Sequence, residues 1–123
     1  MLIKELCELA HKTAVEKGFW EEEEEVVEIG NEKVVSLKRI VPRNKSELLM
    51  LIVTELGEAC EALRMDNRQS NDAWRKDTFE DEIADVFIRL ADMCEALGID
   101  IEWQIEKKLD YNKTRIYKHG KKF

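Results

Sequence analysis

Residues 79–98 read FEDEIADVFIRLADMCEALG. Phe79, Ile83, Val86, Phe87, Leu90, Met93, Cys94 and Leu97 recur at helical spacing and make a wide apolar stripe that ends at Gly98. Asp77 or Thr78 stands where a helix cap belongs. The stretch therefore predicts a long amphipathic helix at the centre of the core. Upstream, Asp66 to Lys76 is a polar loop. Before it, Asn44-Lys45-Ser46-Glu47 reads as an N-cap with a glutamate at N3, opening a helix that runs to about Met65. Between Glu24 and Ile40 the period changes. Val26-Val27-Glu28-Ile29 and Val34-Val35-Ser36-Leu37 flank Gly30-Asn31, the pattern of a β-hairpin with a tight turn that Pro42 closes. Two strands alone are marginal in water, so the hairpin is expected to lie on the helices or pair with another subunit.

The outermost pieces follow the same logic. A first helix runs from about Leu2 to Lys17, with Leu2, Leu6, Leu9, Ala10 and Thr13 on one face and Gly18 as its stop. A fourth starts at Asp100 and reaches at least Asn112, ahead of a basic tail from Lys113 to Phe123. The run Glu21 to Glu25 reads as a solvated, self-repelling link. The expected fold is mainly α: four helices, with a short hairpin over about residues 24–40 between the first two, in a single domain spanning residues 1–123.

Composition narrows the function. The chain has 123 residues, 44% of them hydrophobic, enough for one core without disulfides or a structural zinc. Its formal charge of −7 works against broad binding to nucleic acid or to an anionic membrane. No stretch approaches a membrane-spanning apolar run, and Met1-Leu2-Ile3-Lys4-Glu5-Leu6 lacks the form of a signal peptide, so a soluble cytoplasmic protein is expected. Cys7, Cys60 and Cys94 each fall within an apolar helical pattern and read as buried, reduced thiols rather than zinc or redox ligands.

The candidate chemistry lies in acids. The second helix carries Glu55-x-x-Glu58 and the third Glu82-x-x-Asp85, each pair on one face. With 27 acids among 123 residues, chance alone supplies several such pairs, so position on the wheel matters more than spacing. At about 100° per residue, the apolar arcs of the two helices lie at matching offsets from Glu55 and Glu82. Packed antiparallel, these helices bring four carboxylates together at the edge of the core. Such a cluster repels itself unless it takes up protons or cations. Oxygen ligands without His or Cys suit Mg²⁺ or Mn²⁺; a di-iron bundle would want Glu-x-x-His, and the only histidines are His11 and His119. The alternative is four surface acids paired with Lys or Arg. On the fourth helix, Lys108, Asn112 and Arg115 project together as a phosphate grip, and His119-Gly120-Lys121-Lys122 adds donors from the tail, unless these cations only complement the helix dipole.

Thr54-Glu55-Leu56-Gly57-Glu58-Ala59-Cys60-Glu61-Ala62-Leu63-Arg64, then Asp81-Glu82-Ile83-Ala84-Asp85-Val86, then Lys108-Leu109-Asp110-Tyr111-Asn112-Lys113-Thr114-Arg115 and His119-Gly120-Lys121 resemble the MazG-like all-α nucleoside triphosphate pyrophosphohydrolases. The resemblance covers about two thirds of the chain, helices two to four and the tail. It implies a four-helix MazG-like bundle, in a homodimer or homotetramer, that hydrolyses (deoxy)nucleoside triphosphates to monophosphate and pyrophosphate with Mg²⁺ or Mn²⁺, as in nucleotide-pool house-cleaning. On that likeness Glu55, Glu58, Glu82 and Asp85 hold the metal and Glu55 and Glu58 serve catalysis. Lys108, Asn112, Arg115 and Lys121 bind substrate phosphates, while His11 and Trp20, with Phe19 as a further candidate, hold the base. Two departures stand out. Thr54 occupies a position where many relatives carry a second acid, which leaves Glu58 or a metal-bound hydroxide as the base. The hairpin reads as an insertion. Two other classes of function remain in view, a non-catalytic helical interaction module and a nucleotide sensor that binds without turnover.

Overall fold

The computed structural model describes residues 2–123, with the side chains at 25, 27 and 34–37 outside the description. Its elements in chain order are helix α1 (Ile3–Glu16), strands β1 (Glu22–Ile29) and β2 (Glu32–Ile40), and helices α2 (Lys45–Arg64), α3 (Phe79–Ala96) and α4 (Ile101–Lys113), followed by a single turn at Tyr117–Gly120. The protein is thus mainly helical, with one hairpin between its first two helices. No helix among the described residues is long and apolar enough to cross a membrane.

Local chemistry sets the helix starts. The Asn44 side chain accepts from the Glu47 N–H at 3.1 Å, and the Asp100 side chain from the Trp103 N–H at 3.1 Å. Thr78, the fuller of the two cap candidates, is wholly buried and accepts from the Asp81 N–H at 3.2 Å. Each satisfies a backbone donor that the first helical turn leaves without an intrahelical partner.

Helix α3 is the centre of the packing, with α1 on one side and α2 on the other. Both neighbours run antiparallel to it, as the pairings of His11 with Asp92 and of Glu55 with Arg89 require when taken with Cys7 beside Cys94 and Glu58 beside Glu82. The seams are built from small side chains. Cys7, Ala10, Ala91 and Cys94 form one cluster, and Ala59 and Ala62 are buried on α2 with Leu48 and Ile52. Burial pushes the thiols of Cys7 and Cys94 above their ordinary range.

Several expectations change here. Cys60 is exposed, because among the described residues α3 alone packs along α2 and Cys60 lies outside that seam. Part of the apolar stripe on α3 is likewise uncovered: Phe87 is 61% exposed and Leu90 is exposed too, and on α2 so are Leu49, Val53, Leu56 and Leu63. Hydrophobic spacing marks these positions as apolar, but the seams with α1 and α2 are occupied by smaller residues. Helix α4 has no buried residue and packs on α1, so three helices form the packed layer and the fourth leans beside it.

The hairpin begins at Glu22, so most of the glutamate run lies in a strand rather than in a solvated link. Cross-strand charge explains the change: Glu23 faces Arg39, with which it forms an ion pair, and Glu24 faces Lys38. Gly30 takes φ +64° in the two-residue turn with Asn31, a left-handed conformation that glycine adopts without a Cβ clash. A bulge separates Glu25 from Val26. The Val41 N–H donates to the Glu21 carbonyl at 2.8 Å and closes the base of the ribbon. Among the described residues no helix packs along the hairpin, so the expected seat on the helical core is not taken up.

Candidate metal and nucleotide site

The antiparallel pairing of α2 with α3 delivers the acids expected from their spacing. One carboxylate oxygen each from Glu55, Glu82 and Asp85 lies within 4.8 Å of the others, and Glu58 stands beside Glu82, where the two carboxyls can share a proton. The cluster sits deeper than the edge of the core. Glu55 is buried, Glu82 is 5% exposed, and Oε2 of Glu82 is buried with no hydrogen-bond partner among the described residues. Burial, then the proton shared with Glu58, then the charges of Glu58, Asp85 and Glu55 raise the Glu82 carboxyl to about 7. Asp85 is raised as well, first by burial and then by the charge of Glu55, with Arg89 opposing. Three oxygens this close, with an orphaned oxygen on Glu82, form an all-oxygen donor set suited to a hard divalent cation.

One cation already touches the cluster. Arg89 Nε donates to Glu55 Oε1 at 2.6 Å. Sequence reasoning passed over Arg89, although it continues the face of Glu82 and Asp85 at helical spacing, as Asp92 does after it. Asp77 and Asp81 also approach Glu82, but Asp81 accepts the Asp77 N–H at 2.8 Å and so secures the start of α3.

A groove of about 710 Å³ runs between α1 and α2 with α3 as its floor. Glu55 and Asp85 mark one part of its wall, Phe19 and Arg43 another, and Lys17 and Arg89 add positive charge. Its volume falls in the usual range for small-molecule sites. Phe19 is 63% exposed and presents an open ring. Trp20 does not: it is 4% exposed, its Nε1 donates to both oxygens of Asp92 at 3.0 Å, and the Arg43 guanidinium lies 5.3 Å from its ring centre. His11 Nδ1 lies 2.8 Å from Asp92 Oδ1, with its ring edge-on to Trp20. His11 and Trp20 are therefore brought together as expected, but around Asp92, and it is Asp92 that lines the groove. Nothing in the sequence pairs Asp92 with a tryptophan 72 residues away.

The fourth-helix residues form their own group. Lys108 and Arg115 flank the Tyr111 ring, 4.9 and 5.6 Å from its centre, so they project together as their spacing predicts. Asn112 has a buried side-chain oxygen with no partner among the described residues. None of the three lines the groove, and Lys121 is exposed on the tail. Because α4 leans on α1, this grip and the acid cluster stand apart within one chain. No protein-family model matches this chain, and no curated protein or solved structure matches it.

Proposed function

We propose that this chain is a MazG-like nucleoside triphosphate pyrophosphohydrolase, converting (deoxy)nucleoside triphosphates to monophosphate and pyrophosphate with Mg²⁺, or Mn²⁺ in its place. The observation that carries the reading is the meeting of Glu55, Glu82 and Asp85, with Glu58 beside them, on two antiparallel helices, with a buried Glu82 oxygen that no donor among the described residues satisfies, beside a groove of nucleotide size. These acids fit a hard cation by donor type and by the cost of leaving that oxygen unpaired. Mg²⁺ bound there would supply neutralising charge to the triphosphate and acidify a water.

The chain's own groups do the rest. Glu55, Glu82 and Asp85 hold the cation side of the site. Glu58, exposed beside Glu82, takes the proton of the water that attacks the α phosphorus, in the role that Thr54 cannot fill. Phe19 offers a stacking face for the base, and Asp92 is fixed by His11 and Trp20 to accept from it. Lys108, Asn112, Arg115 and Lys121 bind phosphate from a second copy in a homodimer or homotetramer. The uncovered Leu49, Val53, Leu56 and Phe87 and the separation of α4 from its own acids support that assembly. House-cleaning of the nucleotide pool in the cytoplasm is the setting that suits such an activity.

Pyrophosphate release from a panel of ribo- and deoxyribonucleoside triphosphates, with Mg²⁺, Mn²⁺ or chelator, tests the reading. Metal-dependent release with an equal yield of monophosphate is expected, and its absence across the panel overturns hydrolysis. Thr54 in place of a second acid favours one other reading, nucleotide binding without turnover, whose sign would be ligand-dependent stabilisation with no release.

A further inference from the structure

Arg89 is the guanidinium bound to the acid cluster and also a wall of the groove. Its Nε is spent on Glu55 Oε1 at 2.6 Å; its terminal nitrogens have no acceptor among the described residues, and its side chain is 38% exposed. The other groove arginine is committed. Arg43 donates to the Phe19 carbonyl and to Glu47, both at 3.1 Å, and covers Trp20. The geometry points to Arg89 as a two-position residue, the resident counter-cation of Glu55 while the acids hold no metal and a phosphate ligand of the groove once a divalent cation takes Glu55. This inference rests on the hydrolase reading and adds a substrate-binding residue that the acid spacing does not reveal.

Charge drives the exchange. A divalent cation held among Glu55, Glu82 and Asp85 would compete with the guanidinium for the Glu55 carboxylate and repel it at short range. The displaced group stays tethered to α3, and the groove is the solvent-filled space beside it. A triphosphate brings several negative charges there, and the forked donors of arginine match phosphate oxygens in pairs. Lysine lacks that fork, so the conservative variant should recover charge but not paired hydrogen bonds.

The wild-type chain supplies a test free of folding artefacts. By ¹⁵N NMR, the Arg89 Nε–H is expected to be slow to exchange in the metal-free protein, to shift and exchange faster on adding Mg²⁺, and to regain protection with an α,β-imido nucleoside triphosphate. In parallel, Arg89→Ala should raise KM for triphosphate about tenfold, keep kcat within about threefold, and tighten Mg²⁺ binding without nucleotide, because a competing cation is gone. Arg89→Lys should fall between, and it carries the comparison if the alanine variant does not fold. A merely structural arginine would leave KM unmoved in both variants. Unchanged KM, or an Nε–H that does not respond while Mg²⁺ binds and turnover proceeds, overturns the role of Arg89 alone. A wild-type chain that binds neither Mg²⁺ nor the analogue overturns the hydrolase reading, and this inference with it.

Discussion

Loading the acid cluster with Mg²⁺ should expel a proton, and the proton should come from Glu82. With its carboxyl raised to about 7, Glu82 is about nine-tenths protonated at pH 6 and about one-tenth at pH 8. A cation that requires the carboxylate therefore releases about 0.9 proton per chain at pH 6 and about 0.1 at pH 8, and its apparent affinity improves about tenfold across that interval. The cause lies in what faces Glu82: Glu58 by a shared proton, and Asp85 and Glu55 by charge, with Arg89 as the nearby positive group on Glu55. Titration calorimetry at pH 6, 7 and 8, each in two buffers of different ionisation enthalpy, counts the protons directly. The metal-free protein supplies a second readout. Its native state keeps a proton that the unfolded chain loses near 4.5, so this group's contribution to stability is fully present below 4.5 and is lost as pH rises through about 7. Glu82→Gln should weaken metal binding and flatten both pH dependences. Metal binding at pH 6 without proton release would refute the reasoning, as would a Glu82→Gln variant that keeps the full pH slope.

Three further outcomes test separate parts of the structure. Glu55→Gln should lower kcat by about a hundredfold or more with little change in melting temperature, and full turnover would remove Glu55 from the site. Asp92→Ala strips the Trp20 N–H and His11 of their shared acceptor and should cost about 2 kcal/mol in denaturant unfolding, whereas Asp92→Asn, which keeps an oxygen, should cost less. Glu80 accepts from the Gln69 N–H and from Arg68, both at 2.8 Å, which holds its carboxyl down to about 2. Because that value lies below the ordinary one, its hold on the loop is present above pH 4.5 and lost as pH falls through about 2. Hydrogen exchange at the Gln69 amide should stay slow at pH 4 and become fast in Glu80→Ala, which removes the acceptor.

Local rules made much of the fold legible. Asn44, Thr78 and Asp100 cap helices through contacts three residues away, and Gly30-Asn31 sets the hairpin turn by its own backbone preference. The acid cluster was legible for the same reason, since spacing of three places two carboxylates on each helix face. Partners distant in sequence were not. Arg89 lies 34 residues from Glu55, and Asp92 lies 81 from His11, so only packing brings them together. The strand through Glu22 to Glu25 depends on cations sixteen residues or so further on, which cancel a repulsion that looks dominant when the run is read alone. The exposed Cys60 and Phe87 show a related gap: periodicity says which residues are apolar, not which neighbour covers them.

The seams of alanine and cysteine along α3 have an effect beyond close packing. Small residues at the seams, Cys7, Ala10, Ala59, Ala62, Ala91 and Cys94, let helices pack toward the lower end of the usual range, roughly 8 Å between axes. These residues work as shims. The spacing of α1 and α2 from α3 fixes how far apart the two walls of the groove stand, so its bore is gauged by side chains that, Ala10 apart, lie outside its lining. A wedge such as Ala91→Leu would widen the slot without altering a single polar group in it, and the range of bases admitted is thereby open to tuning from inside the core.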